Sequence, residues 1–565
     1  MYVLGVWDGH DAGAAIVEDG IIKVAVNEER LTRKKLDVGF PANSISACLK
    51  HMNLKPADIE AVAMCGSQFT QALVRAFPFV GRNYYNFRRR LVPKPRFERF
   101  RRLFLKYTMS YWGSNFFTKK YSEFDIKRLL EKMGFKNFRL YLVDHHNAHA
   151  ASAAFTSGFD NCLCITLDGV GDGVSGTVNV FKDGSFERLS TISGRNSLST
   201  MYEQVTTLLG MRELEDEGKT MCIADYSYPV ADEKNKILDF FRVKGLNIDA
   251  KHPPAKMFVE LEKILWSSRR EQFAYMAQRT IEKHMLQLFK NAIEQTGIKD
   301  VCWAGGVASN IKANRILRLQ SGMKRWFVFP HMGDGGLAAG AALHTDNLLN
   351  GSRGSKLENA YLGPEYSEEE IKEEVKKHDV KFEQRSDAAK LAGELIAKGE
   401  FLFWFQGRME YGPRALGDRS IVGPAFSLEL KNRLNMQVKK REWFQPFCPS
   451  LLEEDAKRIF EDYDGMPDRM MTMGYMTFPK IRDRVVSVIH VDGSSRPQMV
   501  GSENKKYREM IERVKRIVGD GIVLNTSFNI HGEPIVCSPK DAIETMIRTK
   551  TKHMVIGDYL VELKL

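Results

Sequence analysis

Cysteine is scarce in this sequence, and its spacing argues against a disulfide framework. The 565 residues include eight cysteines, and no two of them form a Cys-x-x-Cys pair. Most of them lie inside apolar runs, where buried, reduced thiols are common. The cysteine usage therefore favours a reducing compartment.

Long hydrophobic runs are absent as well. No segment reaches about 18 uninterrupted apolar residues, the length that a membrane-spanning helix needs. The start of the chain, MYVLGVWDGHD, lacks the basic region and the apolar stretch of a signal peptide. We therefore expect no membrane span and a cytoplasmic protein, with a length that suits two to four domains.

Acidic residues are nearly missing from one segment. Between Arg82 and Lys106, ten basic residues accompany a single acid, Glu98, so this stretch supplies +9 of the formal charge of +12. The charge is thus local, and we expect no nucleic acid as a general partner. A solvated helix face or flap, an anionic acceptor, weak association with an anionic membrane surface, and RNA all stay open as explanations of this segment.

A strand, an acidic turn and a hairpin occur twice in the first 190 residues. The first copy has a strand at 2–7, the turn Asp8-Gly9-His10-Asp11 and a hairpin turning at Asp19-Gly20. The second has a strand at 162–167, the turn Asp168-Gly169-Val170-Gly171-Asp172-Gly173 and a hairpin turning at Asp183-Gly184. This recurrence predicts duplicated lobes, and two facing lobes of this kind describe the actin-like ATPase fold.

Two more glycine-rich turns follow predicted strands. One contains Gly305 and Gly306, and the other contains Gly335. A glycine turn between a strand and a helix brings backbone N–H groups close to a phosphate. Polar residues at 346–359 then indicate a linker. We predict an N-terminal domain over 1–350, a linker and docking segment over 351–384, and a C-terminal α/β domain over 385–565.

The alanine-rich string DHHNAHAASA predicts a helix that could bind a metal ion. His145 and His149 are four residues apart and so share one helix face. Asp334, in a Gly-Asp-Gly-Gly turn, is the candidate third ligand, and two histidines with one carboxylate favour iron or zinc over magnesium. The alternative is a pair of packed histidines with ordinary hydrogen bonds. His146, on another face, is predicted to be structural.

The string FQGRMEYGPRALGDRSI predicts an oxyanion cradle. Arg408, Arg414 and Arg419 lie among glycines, and the guanidinium fork matches a phosphate bidentately. The alternative, a solvated basic surface, fits less well because aromatic residues or proline accompany each basic cluster.

Taken together, these strings resemble the O-carbamoyltransferase family, which includes nodulation-factor, cephamycin, novobiocin and tobramycin tailoring enzymes. The motifs span nearly the whole chain in order: HDAGAAI, EERLTRKK, HHNAHAASA, LDGVGD, EGKTM, GGVASN, GDGGLAAGAAL, FQGRMEYGPRALGDRSI, VDGSSRPQ and NTSFNIHGEPIV. The resemblance implies an α/β protein with a duplicated actin-like N-terminal domain of two lobes and a YrdC-like C-terminal domain. The C-terminal domain would form carbamoyl-adenylate from carbamoyl phosphate and ATP with Mg²⁺. A hydroxyl, expected to belong to a sugar or polyol, would attack this intermediate in the N-terminal domain.

The resemblance also implies roles for individual residues. By the resemblance, Asp8 and His10 would act as a general base or bind the acceptor, and Lys35 would compensate negative charge. The metal, usually iron with zinc as an alternative, would be held by His145, His149 and Asp334. The adenylate contacts would be Asp168, Gly169, Gly171, Gly305, Gly306, Asn310 and Gly335. The carbamoyl-phosphate contacts would be Arg414, Lys439, Arg496 and Ser527.

Two departures from the family pattern concern the ligand sites. Gln445 precedes Pro446-Phe447 where the family reads Arg-Pro-Phe, so Lys440 or Arg441 could replace one phosphate contact. After EGKTM the chain continues CIADYS where the family tends to have GLAPYG, so the acceptor could differ. A tRNA threonylcarbamoyl transferase and a non-catalytic nucleotide sensor are the alternative functions, and a homo-oligomer stays open.

Overall fold

Two five-stranded mixed sheets with the same strand order form the core of the first part of the chain. The computed structural model describes residues 1–93, 96–97 and 111–564. The chain divides into two units: unit 1 comprises Met1–Glu28 and Leu36–Leu357, and unit 2 comprises Glu29–Lys35 and Glu358–Leu565.

The strands of unit 1 are β1 (Tyr2–Trp7), β2 (Gly13–Glu18), β3 (Ile21–Asn27), β4 (Ala61–Cys65), β5 (Arg139–Val143), β6 (Asn161–Gly171), β7 (Val174–Lys182), β8 (Ser185–Ser193), β9 (Phe241–Lys244), β10 (Asn247–Ala250), β11 (Asp300–Ala304) and β12 (Arg325–Val328). The first sheet has the order β3-β2-β1-β4-β5, and the second, read from its other edge, has the order β8-β7-β6-β11-β12. In each sheet the first three strands in sequence are antiparallel, and the last two add in parallel. The predicted duplication of lobes is therefore confirmed.

The helices described before residue 358 are α1 (Glu28–Thr32), α2 (Ala42–His51), α3 (Phe69–Ala76), α4 (Pro78–Arg88), α5 (Phe116–Lys132), α6 (His145–Ser157), α7 (Leu198–Leu208), α8 (Glu217–Ala224), α9 (Pro254–Trp266), α10 (Arg270–Thr296), α11 (Ile311–Gln320) and α12 (Leu337–Asn350). Helices α9 and α10 are separate, because α9 ends at Trp266 and α10 begins at Arg270. Helix α1 begins in unit 1, and its later residues belong to unit 2.

Helices α6 and α12 each pack on the other sheet, not on the sheet that they follow in sequence. Helix α6 follows the first sheet in sequence but packs on β6 and β11 of the second, whereas α12 follows the second sheet and packs on β1, β2 and β4 of the first. The two helices also pack against each other. Small residues permit this approach, because a Cβ at Gly340 would collide with the carbonyl oxygen of Ala148, and one at Gly5 with that of Ala338. The alanine- and glycine-rich sequences of both helices thus bring the two sheets close together.

Unit 2 is built on an eight-stranded mixed sheet. Its strands are β13 (Val380–Gln384), β14 (Leu402–Phe405), β15 (Arg419–Pro424), β16 (Cys448–Leu452), β17 (Tyr475–Met476), β18 (Ser494–Ser495), β19 (Gln498–Val500), β20 (Ile522–Ser527), β21 (His553–Ile556) and β22 (Tyr559–Leu563). The order in the large sheet is β13-β22-β21-β14-β15-β20-β16-β19, and β17 pairs with β18 separately. The α/β class predicted for this part of the chain agrees with the structure.

The helices of unit 2 are α13 (Glu368–Val375), α14 (Ala388–Ala397), α15 (Leu428–Arg433), α16 (Ala456–Ile459), α17 (Lys505–Val518) and α18 (Pro539–Thr549). Helices α14 and α17 pack together in the main core, in which Ile396, Trp404 and Ile511 are fully buried. At about 25 cal/mol per Å² of buried apolar surface, side chains of this size contribute about 1.5–3 kcal/mol each.

The linker predicted over 351–384 differs from the observed division. Residues up to Leu357 belong to unit 1, where the N–H groups of Ser355 and Leu357 donate to carbonyls near the end of α6. Helix α13 and strand β13 belong to unit 2, in which β13 pairs with β22 along its whole length. The polar composition suggested a linker because it does not reveal these backbone hydrogen bonds.

Part of the basic segment predicted over 82–106 is structural. Arg88 is buried and donates to Glu203 and Glu213 at 2.9 Å each, and Arg89 donates to Glu215 at 2.7 Å. These arginines join α4 to the region that precedes α8. Residues 94, 95 and 98–110, on which the rest of the prediction falls, lie outside the described residues. Within the described part of the chain, no helix is long and apolar enough to cross a membrane.

Candidate active site

Two histidines and two carboxylates converge inside unit 1. Asp144 caps α6 through the Asn147 N–H, so the helix begins at His145 and places His149 one turn later. Asp168 follows the apolar part of β6, and Asp334 begins the turn before α12. Nε2 of His145 lies 3.4 Å from Asp168 Oδ2 and 3.5 Å from Asp334 Oδ1, and Nε2 of His149 lies 3.6 Å from Asp334 Oδ1. The sequence-predicted set of His145, His149 and Asp334 is brought together, and Asp168 joins it.

The geometry of this cluster fits a divalent metal ion. The four ligand atoms lie within 4.8 Å of one another. Two ligand atoms that are each about 2.1 Å from one tetrahedral ion lie about 3.4 Å apart, which matches the observed separations. Nε2 of His145 and Nε2 of His149 are buried and have no hydrogen-bond partner among the described residues. Buried polar atoms are nearly always satisfied, so the two nitrogens indicate a ligand position.

The charges of the cluster agree with cation binding. Burial opposes ionisation of Asp168, but the adjacent His145 and the charge of His149 lower its pKa. Burial lowers the pKa of His145, but Asp334 and Asp168 outweigh it and raise that pKa to about 9. Burial and the charge of Asp168 oppose ionisation of Asp334, but the charges of His10 and His145 lower its pKa. Both carboxyl groups are therefore ionised at neutral pH, and their field would attract a metal ion as it attracts a proton.

His146 is structural, as predicted. Its Nδ1 lies 2.8 Å from Thr166 Oγ1, and its Nε2 lies 3.0 Å from the carbonyl oxygen of Val174. Burial and the charges of the neighbouring histidines lower its pKa to about 3, which keeps the ring neutral.

Asp8 and His10, both predicted at the catalytic centre, occupy different environments. Asp8 accepts two hydrogen bonds from Arg75, at 2.7 and 3.0 Å, and both side chains are buried. His10 Nδ1 instead lies 3.4 Å from Asp334 Oδ2, and its ring is 5.4 Å from that of Tyr85 on α4. Burial lowers the pKa of His10. The arrangement thus favours His10 over Asp8 as a proton acceptor, because both oxygens of Asp8 are engaged.

Removing one partner of the Asp8–Arg75 pair should destabilise unit 1. We expect Arg75→Met to lower the free energy of unfolding by about 3–5 kcal/mol, since it leaves a buried carboxylate unpaired. The double variant Asp8→Asn with Arg75→Met should recover most of this loss. Urea unfolding measures both values, and Arg353→Met, which removes an exposed pair with Asp183, is the control, expected to cost less than about 1 kcal/mol.

The same double variant separates two roles of Asp8. If Asp8 only supports its surroundings, the stable double variant should retain the activity of the parent protein. If Asp8 is the general base, the double variant will be stable and inactive.

The glycine-rich turns surround Asp168. Asp168 Oδ1 accepts from the Gly306 N–H at 2.6 Å, and Gly305 has a φ of 100°, with no room for a Cβ beside the carbonyl of Leu167. A Cβ at Gly171 would collide with the His145 ring, and one at Gly335 with the His331 ring. A Cβ at Gly169 would lie 3.5 Å from Glu203 Oε1. Gly171 and Gly306 therefore contact the cluster of histidines and carboxylates directly, whichever ligand the turns bind.

Asn310, predicted as an adenylate contact, is used within the fold. Its Oδ1 caps α11 through the Ala313 N–H and accepts from Gln278, and its Nδ2 donates to Gln278 at 2.9 Å. Tyr202 also donates to Gln278. Such a network orients the turn rather than leaving the amide open to a ligand.

Glu217, at the start of α8, should make the stability of unit 1 depend on pH. Burial, reinforced by the charge of Glu203, raises its pKa from 4.5 to about 8. The native state then retains a proton that the unfolded chain releases, so stability should fall as the pH rises from about 5 to 8. We expect Glu217→Gln to remove this dependence and to be more stable than the parent at pH 9, by up to about 5 kcal/mol. Urea unfolding at pH 5 and 9 tests this, and an equal difference at both pH values would contradict it.

The arginines of the predicted cradle in unit 2 have different roles. Arg408 donates to the carbonyl oxygens of Leu362 and Gly363. Arg419 is fully buried, donates to the carbonyl oxygens of Gln406 and Gly407, and lies over the Phe405 ring at 3.6 Å. These two side chains hold the loop, so Arg414 is the arginine of the predicted cradle that stays a candidate ligand contact.

Arg414 and Arg496 form a pair of like charges. Burial and the nearby charge of Arg496 lower the pKa of Arg414 to about 9. Arg496 donates to Cys448 Sγ at 3.1 Å. Cys448 is also close enough to Arg414 to oppose the lowering of its pKa. The Nε atoms of both arginines are buried and have no hydrogen-bond partner within the described residues. Two adjacent guanidinium groups with unused donors indicate an anion site.

Lys439 donates hydrogen bonds to residues at and just beyond the end of β20. Its Nζ donates to Ser527 Oγ at 3.1 Å and to Asn529 Oδ1 at 2.7 Å, and burial lowers its pKa. Ser527 lies two residues from Asn525, which pairs with Cys448, so the serine is about 7 Å farther along the same face of the strand. Lys35, predicted for charge compensation, belongs to unit 2, where its charge also lowers the pKa of Lys439.

Gln445 does not reproduce the arginine of the family pattern. Its Oε1 is buried without a hydrogen-bond partner in the described part of the chain. Arg441, one candidate replacement, donates to Asn435 and Pro446 and stacks on Phe447 at 4.2 Å. Lys440 is exposed and is the other candidate.

Comparison with known proteins identifies the family. The family model described as carbamoyltransferase N-terminus matches residues 2–343, and that described as carbamoyltransferase C-terminus matches residues 393–563. The chain belongs to the carbamoyltransferase family and is a transferase, so the non-catalytic sensor is set aside.

Relatives match over most of the chain. The uncharacterized protein MJ1058 of Methanocaldococcus jannaschii is 34% identical over 78% of this chain and 76% of its own length. Nodulation protein NolNO of Sinorhizobium fredii is 32% identical over 98% of this chain and 79% of its own length. Among solved structures, HypF of T. kodakarensis matches at a TM-score of 0.35 and 13% identity, over 62% of this chain and 48% of that chain. Similarity at this TM-score does not establish a common fold.

Proposed function

We propose that this chain is an ATP-dependent O-carbamoyltransferase. Unit 2 forms carbamoyl-adenylate from carbamoyl phosphate and ATP with Mg²⁺, and unit 1 transfers the carbamoyl group to a hydroxyl of a sugar or polyol. In this proposal the first unit is an actin-like transfer domain and the second is a YrdC-like adenylation domain.

The observation that carries the proposal is the Arg414–Arg496 pair. Two adjacent, half-buried guanidinium groups repel each other unless an anion lies between or beside them, so the native state maintains them for a ligand. Their unused Nε donors suit a phosphate or carbamoyl oxygen. Ser527, oriented by Lys439 and Asn529, adds a hydroxyl at the end of β20, the strand between β15 and β16.

The activation reaction consumes one water molecule. Water cleaves carbamoyl phosphate into carbamate and inorganic phosphate. A carbamate oxygen then bonds to the α-phosphorus of ATP, and the bond to pyrophosphate breaks. The arginine pair would bind the anionic carbamoyl phosphate and the phosphate that leaves it. An adenylate is a better leaving group than the oxygen of free carbamate, which makes the next step feasible.

The transfer reaction would take place beside the metal cluster of unit 1. His145, His149 and Asp334, with Asp168 alongside, would hold a divalent ion, and this donor set suits Fe²⁺, with Zn²⁺ as the alternative. The ion would supply Lewis-acid polarisation of the carbamoyl carbonyl.

His10 would accept the proton of the acceptor hydroxyl. Its lowered pKa keeps the imidazole neutral at pH 7, which is the form that can take a proton. The hydroxyl oxygen bonds to the carbamoyl carbon, the bond from that carbon to the adenylate oxygen breaks, and AMP leaves. Asp334, 3.4 Å from His10, would stabilise the imidazolium that results.

Pyrophosphate release tests the activation reaction. The purified protein, loaded with iron, should release pyrophosphate from ATP only when carbamoyl phosphate is added. Bicarbonate and threonine in place of carbamoyl phosphate should give none. Release with threonine and bicarbonate would favour the tRNA threonylcarbamoyl alternative, and no release with any substrate would overturn the proposal.

A further inference from the structure

Exposed hydrophobic side chains are concentrated in one region of unit 1. Of the 25 large hydrophobic side chains that are exposed in the described residues, 11 lie between Phe77 and Phe124. Single exposed apolar residues are normal on a protein surface, but a cluster of this kind marks an interaction site. We call the aromatic members of this cluster on or beside α3, α4 and α5 the aromatic face: Phe77, Phe79, Trp112, Phe116, Phe117, Tyr121 and Phe124.

Contacts between α3 and α5 place these residues on neighbouring elements. At one end the Phe69 and Trp112 rings are 5.2 Å apart, and at the other Arg75 donates to Ser122 at 2.7 Å. The two helices therefore run side by side in the same direction.

Helix α5 has a core face and an aromatic face. Its buried residues are Thr118, Ser122, Asp125, Ile126 and Leu130. Phe117, Tyr121 and Phe124 follow the spacing i, i+4, i+7 on another side, and Phe117 and Phe124 are 80% and 66% exposed. A helix normally buries its aromatic stripe, so this orientation requires a partner for the outer stripe.

Lysines accompany the exposed aromatic rings. Lys120 and Lys127 on α5 are exposed and lie beside the aromatic stripe, and Arg82 on α4 is exposed as well. The acids of α5 are Glu123, Asp125 and Glu131, of which Glu123 pairs with Lys120 and Asp125 with Arg128. Lysine is depleted at protein–protein interfaces, whereas aromatic rings beside lysines are typical of surfaces that bind anionic lipid.

We propose that the aromatic face binds an anionic membrane surface. Phe117, Phe124 and Phe79 enter the boundary between head groups and acyl chains, while the lysines contact the lipid phosphates and keep their charged ends in water. This binding involves neither the metal cluster nor the arginine pair. It places the enzyme beside acceptors that reside in or near a membrane.

Flotation with lipid vesicles tests the inference on the full-length protein. The protein should bind vesicles of phosphatidylcholine mixed with phosphatidylglycerol, and binding to pure phosphatidylcholine should be at least about tenfold weaker. The double variant Phe117→Ser with Phe124→Ser should lose at least about tenfold in binding to the anionic vesicles. Lys120→Glu with Lys127→Glu should lose a similar factor and reduce the salt dependence.

The matched control is Trp266→Ser, which removes an aromatic ring that is 94% exposed and lies outside the aromatic face. It should bind vesicles like the parent protein. All variants should retain the parent melting temperature and pyrophosphate release, because the changed residues are exposed. Equal binding by Phe117→Ser with Phe124→Ser and the parent would overturn the inference. The inference would also be overturned if the parent protein did not bind vesicles but self-associated, and Phe117→Ser with Phe124→Ser lost that self-association. This result would identify the face as a protein interface.

Discussion

Replacing Arg414 with alanine is expected to reduce pyrophosphate release by at least about 100-fold. A donor directed at a developing or bound oxyanion in a buried site is worth about 10²–10³ in rate. Arg414 is the arginine of its loop that remains available, since Arg408 and Arg419 are engaged with backbone carbonyls. The assay is pyrophosphate release with saturating ATP and carbamoyl phosphate.

The stability of the same variant distinguishes a binding role from a structural one. Because burial and Arg496 already disfavour the charge of Arg414, Arg414→Ala should not lower the free energy of unfolding. Arg408→Ala should lower it, by about 1–3 kcal/mol, since it leaves buried carbonyls without donors. Arg385→Ala, which removes exposed pairs with Asp387 and Glu383, should change neither quantity. An active Arg414→Ala enzyme would rule out the proposed anion site.

Asp334→Asn is expected to reduce carbamoylation of the acceptor by at least about 100-fold and to leave pyrophosphate release within about twofold of the parent. The amide has the same volume but no charge, and Asp334 is the carboxylate that lies near His145, His149 and His10 together. Bound iron, measured by metal analysis after dialysis, should fall in parallel. The readouts are product formation and pyrophosphate release in the same preparation.

Two companion variants complete this test. His149→Ala should show the same separation of the two reactions, since it removes a metal ligand from unit 1. Asp300→Asn, which loses an exposed pair with Arg325, should retain both reactions. If pyrophosphate release and carbamoylation fell equally in Asp334→Asn and His149→Ala, the assignment of one reaction to each unit would be incorrect.

The convergence of His145, His149 and Asp334 was largely predictable from sequence because its central feature is local. Two histidines four residues apart share a helix face whatever the surrounding fold, and the alanines predict the helix. Asp168 was assigned only to the nucleotide because its glycine-rich turn suggests a phosphate site. Its approach to His145 depends on how the end of β6 meets α6, which the sequence pattern does not contain.

Non-local pairs account for the other differences. Asp8 was expected to be catalytic, but its partner Arg75 is 67 residues away and has no local sequence signal. Lys35 lies in a short segment that belongs to unit 2, although more than 300 residues separate it from Glu358. Among three arginines in one loop, composition cannot distinguish those that bind carbonyls from the one left for a ligand.

The most direct test of carbamoyl transfer is to follow the carbon itself. The enzyme, ATP and ¹³C-labelled carbamoyl phosphate are incubated with an extract of small molecules, and labelled products are identified by mass spectrometry. The account predicts a labelled carbamate ester of a hydroxyl compound that is formed by the parent enzyme and missing with Asp334→Asn. Label found only in free carbamate and bicarbonate, or in threonylcarbamoyl-modified RNA, would contradict it.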